Sequence, residues 1–126
     1  MAAELETMIS EFCSIKMGDW IAGNTTDDFQ FVRPTGNPID KIGFPAMMTG
    51  DVVVQAGELK KIHKLEVSGD MAFACLTQYG KFTYKGTPNE DICVMTLIFK
   101  KVDGAWKLAW AQRSSGRKPD EPAPSF

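Results

Sequence analysis

The stretch Val102-Asp103-Gly104-Ala105-Trp106-Lys107-Leu108-Ala109-Trp110-Ala111-Gln112-Arg113-Ser114-Ser115-Gly116 closes a strand-like run that begins at Leu59. Asp103-Gly104 carries the turn chemistry of a tight hairpin, and the flanking residues alternate with the period of two that a strand requires. Working backwards, Ser68-Gly69-Asp70 and Gly86-Thr87-Pro88-Asn89 break the run in the same way. The pattern predicts strands over residues 58–67, 71–85, 90–102 and 105–114. Strands this long twist and curl, and a curled sheet needs an element to close over.

That element is upstream. Leu5, Met8, Ile9, Phe12, Cys13 and Trp20 recur at three- and four-residue steps, with Met17 near the same stripe, which predicts an amphipathic helix ended or bent at Gly18-Asp19. Asn24-Thr25-Thr26-Asp27-Asp28 reads as a capping turn without a core element of its own. Residues 28–33 alternate as a short strand, and Pro34-Thr35-Gly36-Asn37-Pro38 must turn. Residues 39–48 are compatible with a short helix confined or broken by Pro45, and residues 51–55 with a short strand ended by Ala56-Gly57. The expected domain spans residues 1–116, followed by a proline-rich tail, residues 117–126, that reads as extended or disordered.

The 126 residues suit one domain with one core. A net charge of -2, with bases and acids interleaved, offers no platform for nucleic acid. No apolar run approaches the about 20 residues of a membrane span, and the acidic N-terminus is unlike a leader peptide. Cys13, Cys75 and Cys93 are odd in number, far apart and set among apolar residues, so reduced buried thiols in a reducing, cytoplasmic compartment are expected. With one histidine, His63, and no close ligand pairs, neither a metal nor a cofactor is expected.

Helix, short strand, helix, then a curved meander is the plan of the cone-shaped α+β fold of the nuclear-transport-factor-2-like (SnoaL-like) superfamily. Met17-Gly18-Asp19-Trp20 resembles the step that closes its first helix, Val67-Ser68-Gly69-Asp70-Met71-Ala72 its turn before the second long strand, and Val102-Asp103-Gly104-Ala105-Trp106-Lys107 its last hairpin. Within the superfamily, Leu76-Thr77-Gln78-Tyr79, Gly36-Asn37 after Arg33-Pro34, and Arg113-Ser114-Ser115-Gly116 resemble segments of the association (hub) domain of calcium/calmodulin-dependent protein kinase II. No kinase motif is present. The fold so implied is an N-terminal helix packed on a strongly curved antiparallel sheet.

Strand parity divides the meander into two faces. One holds His63, Leu65, Phe73, Cys75, Thr77, Tyr79, Cys93, Met95, Leu97, Phe99, Ala109, Ala111 and Arg113; the other holds Ile62, Leu76, Gln78, Ile92, Val94, Ile98, Trp106, Leu108, Trp110 and Gln112. Both are apolar, so both should be covered: the first by the helix, leaving a cavity, the second by a partner chain through Trp106, Trp110, Gln112 and Gln78. The resemblance to hub domains implies pocket cations at Cys75, Leu97 and Arg113, and only Arg113 keeps the charge.

Arg113 either meets a ligand of carboxylate or bicarbonate size, forms a structural ion pair with Asp28 or Asp91, or is exposed at the sheet end. Arg33 is a candidate second cation. His63 is either a general base or an ordinary strand histidine beside Lys60, Lys61 and Lys64. Thr77 and Tyr79 are candidates to orient a ligand, against a plain packing role.

Two kinds of function follow. One is a free-standing hub-like protein that forms a homodimer or larger ring and takes a small organic acid or anion in its cone. The other is an enzyme: an isomerase, dehydratase or cyclase of the SnoaL-like type, or a metal-independent carbonic anhydrase-like lyase, which the chain resembles through Ser114-Ser115 and Pro34-Thr35. In place of that group's histidines stands Ala111-Gln112-Arg113, and residues 39–48 hold no tyrosine. The proline-rich tail is a further candidate for engaging a protein partner, or a frayed terminus.

Overall fold

The apolar stripe of the N-terminal segment does form a helix, but in two pieces. In a computed structural model of the chain, which describes residues 2–14, 17–122 and 124–126, α1 spans Ala2–Phe12 and α2 spans Met17–Asn24. Leu5, Met8, Ile9 and Phe12 of α1 and Ile21 of α2 are buried, and the Trp20 indole donates to the Glu11 carboxylate at 3.0 Å, tying the two helices together. The side chain of Met17, expected near the stripe, lies outside the described residues.

Residues 24–28 are not the capping turn that their composition predicts. The Thr25 hydroxyl donates to the Ile21 carbonyl at 2.7 Å, ending α2 and leading directly into β1, Thr25–Val32. Buried Thr25, Phe29 and Phe31 make β1 a core strand, so packing overrides the turn propensity of the acids between them. Residues 38–40 form a short strand, β2, instead of beginning a helix. The Asp40 carboxylate then accepts from the N–H groups of Ile42 and Gly43 at 3.1 and 2.7 Å and starts α3, Gly43–Thr49. Pro45 sits in the first turn of α3, where the missing N–H has no intrahelical partner to lose, so it does not break the helix.

Four long strands complete the chain: β3 Val52–Ser68, β4 Met71–Tyr84, β5 Thr87–Val102 and β6 Ala105–Arg113. The six-stranded sheet has the order β2-β1-β6-β5-β4-β3. It is curved, unclosed and mixed, because β1 runs parallel to β6 while every other pair is antiparallel. The cone-shaped α+β fold is therefore present, with one parallel pair that the meander alone did not predict.

Curvature comes from bulges. Residues 51–55 are not a separate strand; β3 runs through Ala56-Gly57 to Ser68, with register shifts at Val54/Ala56, Leu59/Lys61 and Ile62/Lys64. Gly57 lets β3 pass under the end of α1, since a Cβ there would stand 2.5 Å from the Cys13 carbonyl oxygen. Sheet pairing also extends past Arg113, through a bridge between Ile92 and Arg117. Beyond it the tail turns, the Glu121 N–H donating to the Lys118 carbonyl at 3.0 Å, and the Phe126 ring lies 4.2 Å from that of His63.

Candidate functional site

Register decides which side chains share a face. The β4/β5 turn is Lys85-Gly86, with φ of 48° and 83°, a two-residue loop that pairs Tyr84 with Thr87 and hence Gln78 with Cys93 and Leu76 with Met95. Partners across such a loop have opposite parity, so the concave face carries the even residues of β4 and the odd residues of β5. In β6 a shift between Ile98 and Phe99 leaves Ala109 unpaired and flips the alternation: Trp106 and Leu108 point inward before it, Ala111 and Arg113 after it.

The predicted grouping is corrected accordingly. Arg113 reaches the concave side, but Tyr79, Thr77 and His63 stand on the convex one. His63 Nε2 is 2.6 Å from the Thr77 hydroxyl, and the Tyr79 hydroxyl donates to the Glu90 carboxylate, which raises the Tyr79 pKa. Gln78, expected at a partner interface, lies on the concave side, donating to the Cys13 carbonyl at 3.1 Å and accepting from the Cys93 thiol at 3.8 Å. Trp106 is only 4% exposed within the core, with the Lys101 ammonium 5.0 Å above its ring, and so cannot meet a partner. Trp110 and Gln112 do face outward.

α1, α3 and the concave face border an open-mouthed cavity of about 670 Å³. Its floor is aromatic: Phe12, Phe31 and Phe44 have ring centroids 5.1 to 6.4 Å apart. Met47 and Met48 from α3, Val52 and Val54 from β3 and Phe82 from β4 form apolar walls. The polar lining includes Thr35, Asn37, Asn89 and Ser115, together with three charged residues: Arg33, Asp91 and Arg113.

The two arginines differ. The Arg113 guanidinium donates to Asp91 at 3.0 Å and to the Ser114 carbonyl at 3.2 Å, so its charge is matched within the chain. The partner is one of the two carboxylates that the sequence offers for it. Arg33 donates to the Asn37 carbonyl at 3.1 Å and points a further N–H at the Met47 sulfur at 3.8 Å; among the described residues it has no carboxylate partner. The sequence signal for Arg33 is its place before the Pro34–Pro38 turn, whose Asn37 carbonyl holds it.

The thiols are free. Burial pushes the Cys13 pKa up to about 12, with Cys93 nearby adding to the shift; burial also raises those of Cys93 and Cys75. Among the described residues, no helix is long and apolar enough to cross a membrane.

Residues 1–120 match the family described as protein of unknown function (DUF3804). The chain belongs to that family. This DUF3804 protein is also similar to an NTF2-like protein of unknown function from Prochlorococcus marinus, at 45% identity over 94% of each chain with a TM-score of 0.86, so it is NTF2-like. A putative calcium/calmodulin-dependent kinase II association domain from Exiguobacterium sibiricum shares its fold, at 15% identity, 94% and 95% coverage of this chain and that one, and a TM-score of 0.79. So does the association domain of the C. elegans kinase, at 15% identity, 90% and 92% coverage, and a TM-score of 0.61. No curated protein matches the sequence.

Proposed function

We propose that this DUF3804 protein is a hub-like binding module that holds a small organic molecule in its cone and self-associates through the convex face of its sheet. The observation that carries the reading is the cavity, with an aromatic floor and a few polar groups, the composition of a ligand site. Binding is favoured over acid–base catalysis because the single histidine lies on the opposite face and the lining carboxylate, Asp91, is held by Arg113.

Self-association is supported by a row across the convex face. Ile98 pairs with Phe73 on one side and Trp110 on the other, and Phe73 and Trp110 are 37% and 39% exposed. Solved association domains with this fold support the same reading. Light scattering coupled to size exclusion tests it: a dimer or larger ring is expected at micromolar concentration, and a strict monomer would remove it. A thermal-shift screen of small organic acids and neutral analogues tests the cavity, with a rise in midpoint expected for at least one.

A further inference from the structure

We infer that the cavity selects an apolar monocarboxylate, whose carboxylate is received by Arg33 and whose hydrocarbon body lies along Phe31, Met47, Met48 and Phe82. This rests on the ligand-binding reading above and adds the chemical class of the ligand. The first ground is charge. Asp91 and Arg113 neutralise one another across 3.0 Å, which leaves Arg33 as the one uncompensated charge among the described lining residues. One unpaired guanidinium suits one negative charge.

The second ground is unused hydrogen-bonding capacity. A guanidinium has five N–H donors, and the protein supplies Arg33 with one carbonyl and one weakly accepting sulfur. The remaining donors belong to a half-buried group that water reaches only in part, so a carboxylate bound there gains charge-assisted hydrogen bonds. The group is also held in place. Its Nε bonds the Asn37 carbonyl, which accepts from the Arg33 backbone N–H as well, and Gly36 N–H closes the same turn onto the Arg33 carbonyl at 2.8 Å. A fixed fork loses little freedom when it binds.

The third ground is size and polarity. A volume of about 670 Å³ lies in the range that buries a drug-sized ligand, and a bicarbonate or phosphate would leave most of it empty. Phe31 stands two residues before Arg33 and keeps 8% exposure, backed edge-on by buried Phe44 at 5.1 Å, so an apolar surface begins beside the cation. Met47 and Met48 line the facing wall with adaptable thioether chains.

The test uses two acids, naphthylacetate and decanoate, and their neutral primary amides, titrated calorimetrically into the purified full chain. The acids should bind about tenfold or more tighter than the amides, the scale of a charge-assisted hydrogen bond. Arg33→Gln should remove that advantage while leaving amide affinity within about twofold, and Arg33→Lys should keep part of it, since an ammonium retains the charge without the fork. The comparison of acid with amide needs no variant, so misfolding of either variant does not spoil it. Amides binding as well as acids, or an unchanged acid preference in Arg33→Gln, would overturn the carboxylate assignment and leave the cavity reading standing. Silence from all four compounds would remove both.

Discussion

The Arg113 guanidinium meets the Asp91 carboxylate at 3.0 Å inside the cone, with their side chains only 15% and 20% exposed. Gly116 makes room for this pair, because a Cβ there would overlap the Asp91 carboxyl group. Removing one partner strands the other charge in a partly dehydrated site. Asp91→Asn and Arg113→Met should each cost about 2 kcal/mol, with the double variant less destabilised than the sum. Urea denaturation of the three variants measures this; additive losses would mean that the pair contributes nothing as a pair.

Gly57→Ala forces a methyl group to within 2.5 Å of the Cys13 carbonyl, where backbone faces backbone and neither side can rotate away. A loss of about 1–3 kcal/mol is expected, the scale of overpacking. Gly80→Ala, in an ordinary contact with Phe82 at 3.9 Å, is the control and should be far milder. Equal midpoints for the two would refute the close approach.

The Cys13 thiol remains neutral in the fold up to about pH 12, against an ordinary value of 9.0. Between these values the unfolded chain has released that proton and the folded chain has not. The folded state therefore binds more protons, and stability falls as pH rises, by about 1.4 kcal/mol per unit at most from this group. Stability measured from pH 8 to 11 should decline less steeply in Cys13→Ala than in the parent. Parallel slopes would show that Cys13 titrates alike in both states.

Trp106 and Trp110 separate packing from assembly. Trp106→Ala should lose about 3–5 kcal/mol by opening a core cavity, whereas Trp110→Lys should leave the monomer's stability within about 1 kcal/mol. If the convex face is the association surface, Trp110→Lys shifts the species seen by light scattering toward monomer. An unchanged oligomer would move the interface elsewhere.

The fold was legible because its signals are local. Asp103-Gly104 and Ser68-Gly69-Asp70 specify tight turns by their own backbone preferences, and the Leu5, Met8, Ile9 and Phe12 spacing specifies a helix face. The boundaries were less so. Thr25 and Asp27 have turn propensity, and only the burial of Thr25, Phe29 and Phe31 beside them makes the segment strand.

Faces were the part that residue order could not supply. Alternation tells which residues of one strand share a side, but the relation between strands depends on whether a loop holds an even or an odd number of residues and on where a bulge falls. The two-residue Lys85-Gly86 loop puts the even residues of β4 on one face with the odd residues of β5, where the expected grouping had odd with odd, and the unpaired Ala109 turned Arg113 inward while leaving Trp110 outside. From the sequence came the cone, its helix and the two arginines. Only the tertiary structure decided that Arg113 is spent on Asp91 and Arg33 is not, because an ion pair between residues 22 positions apart exists only once β5 and β6 lie side by side.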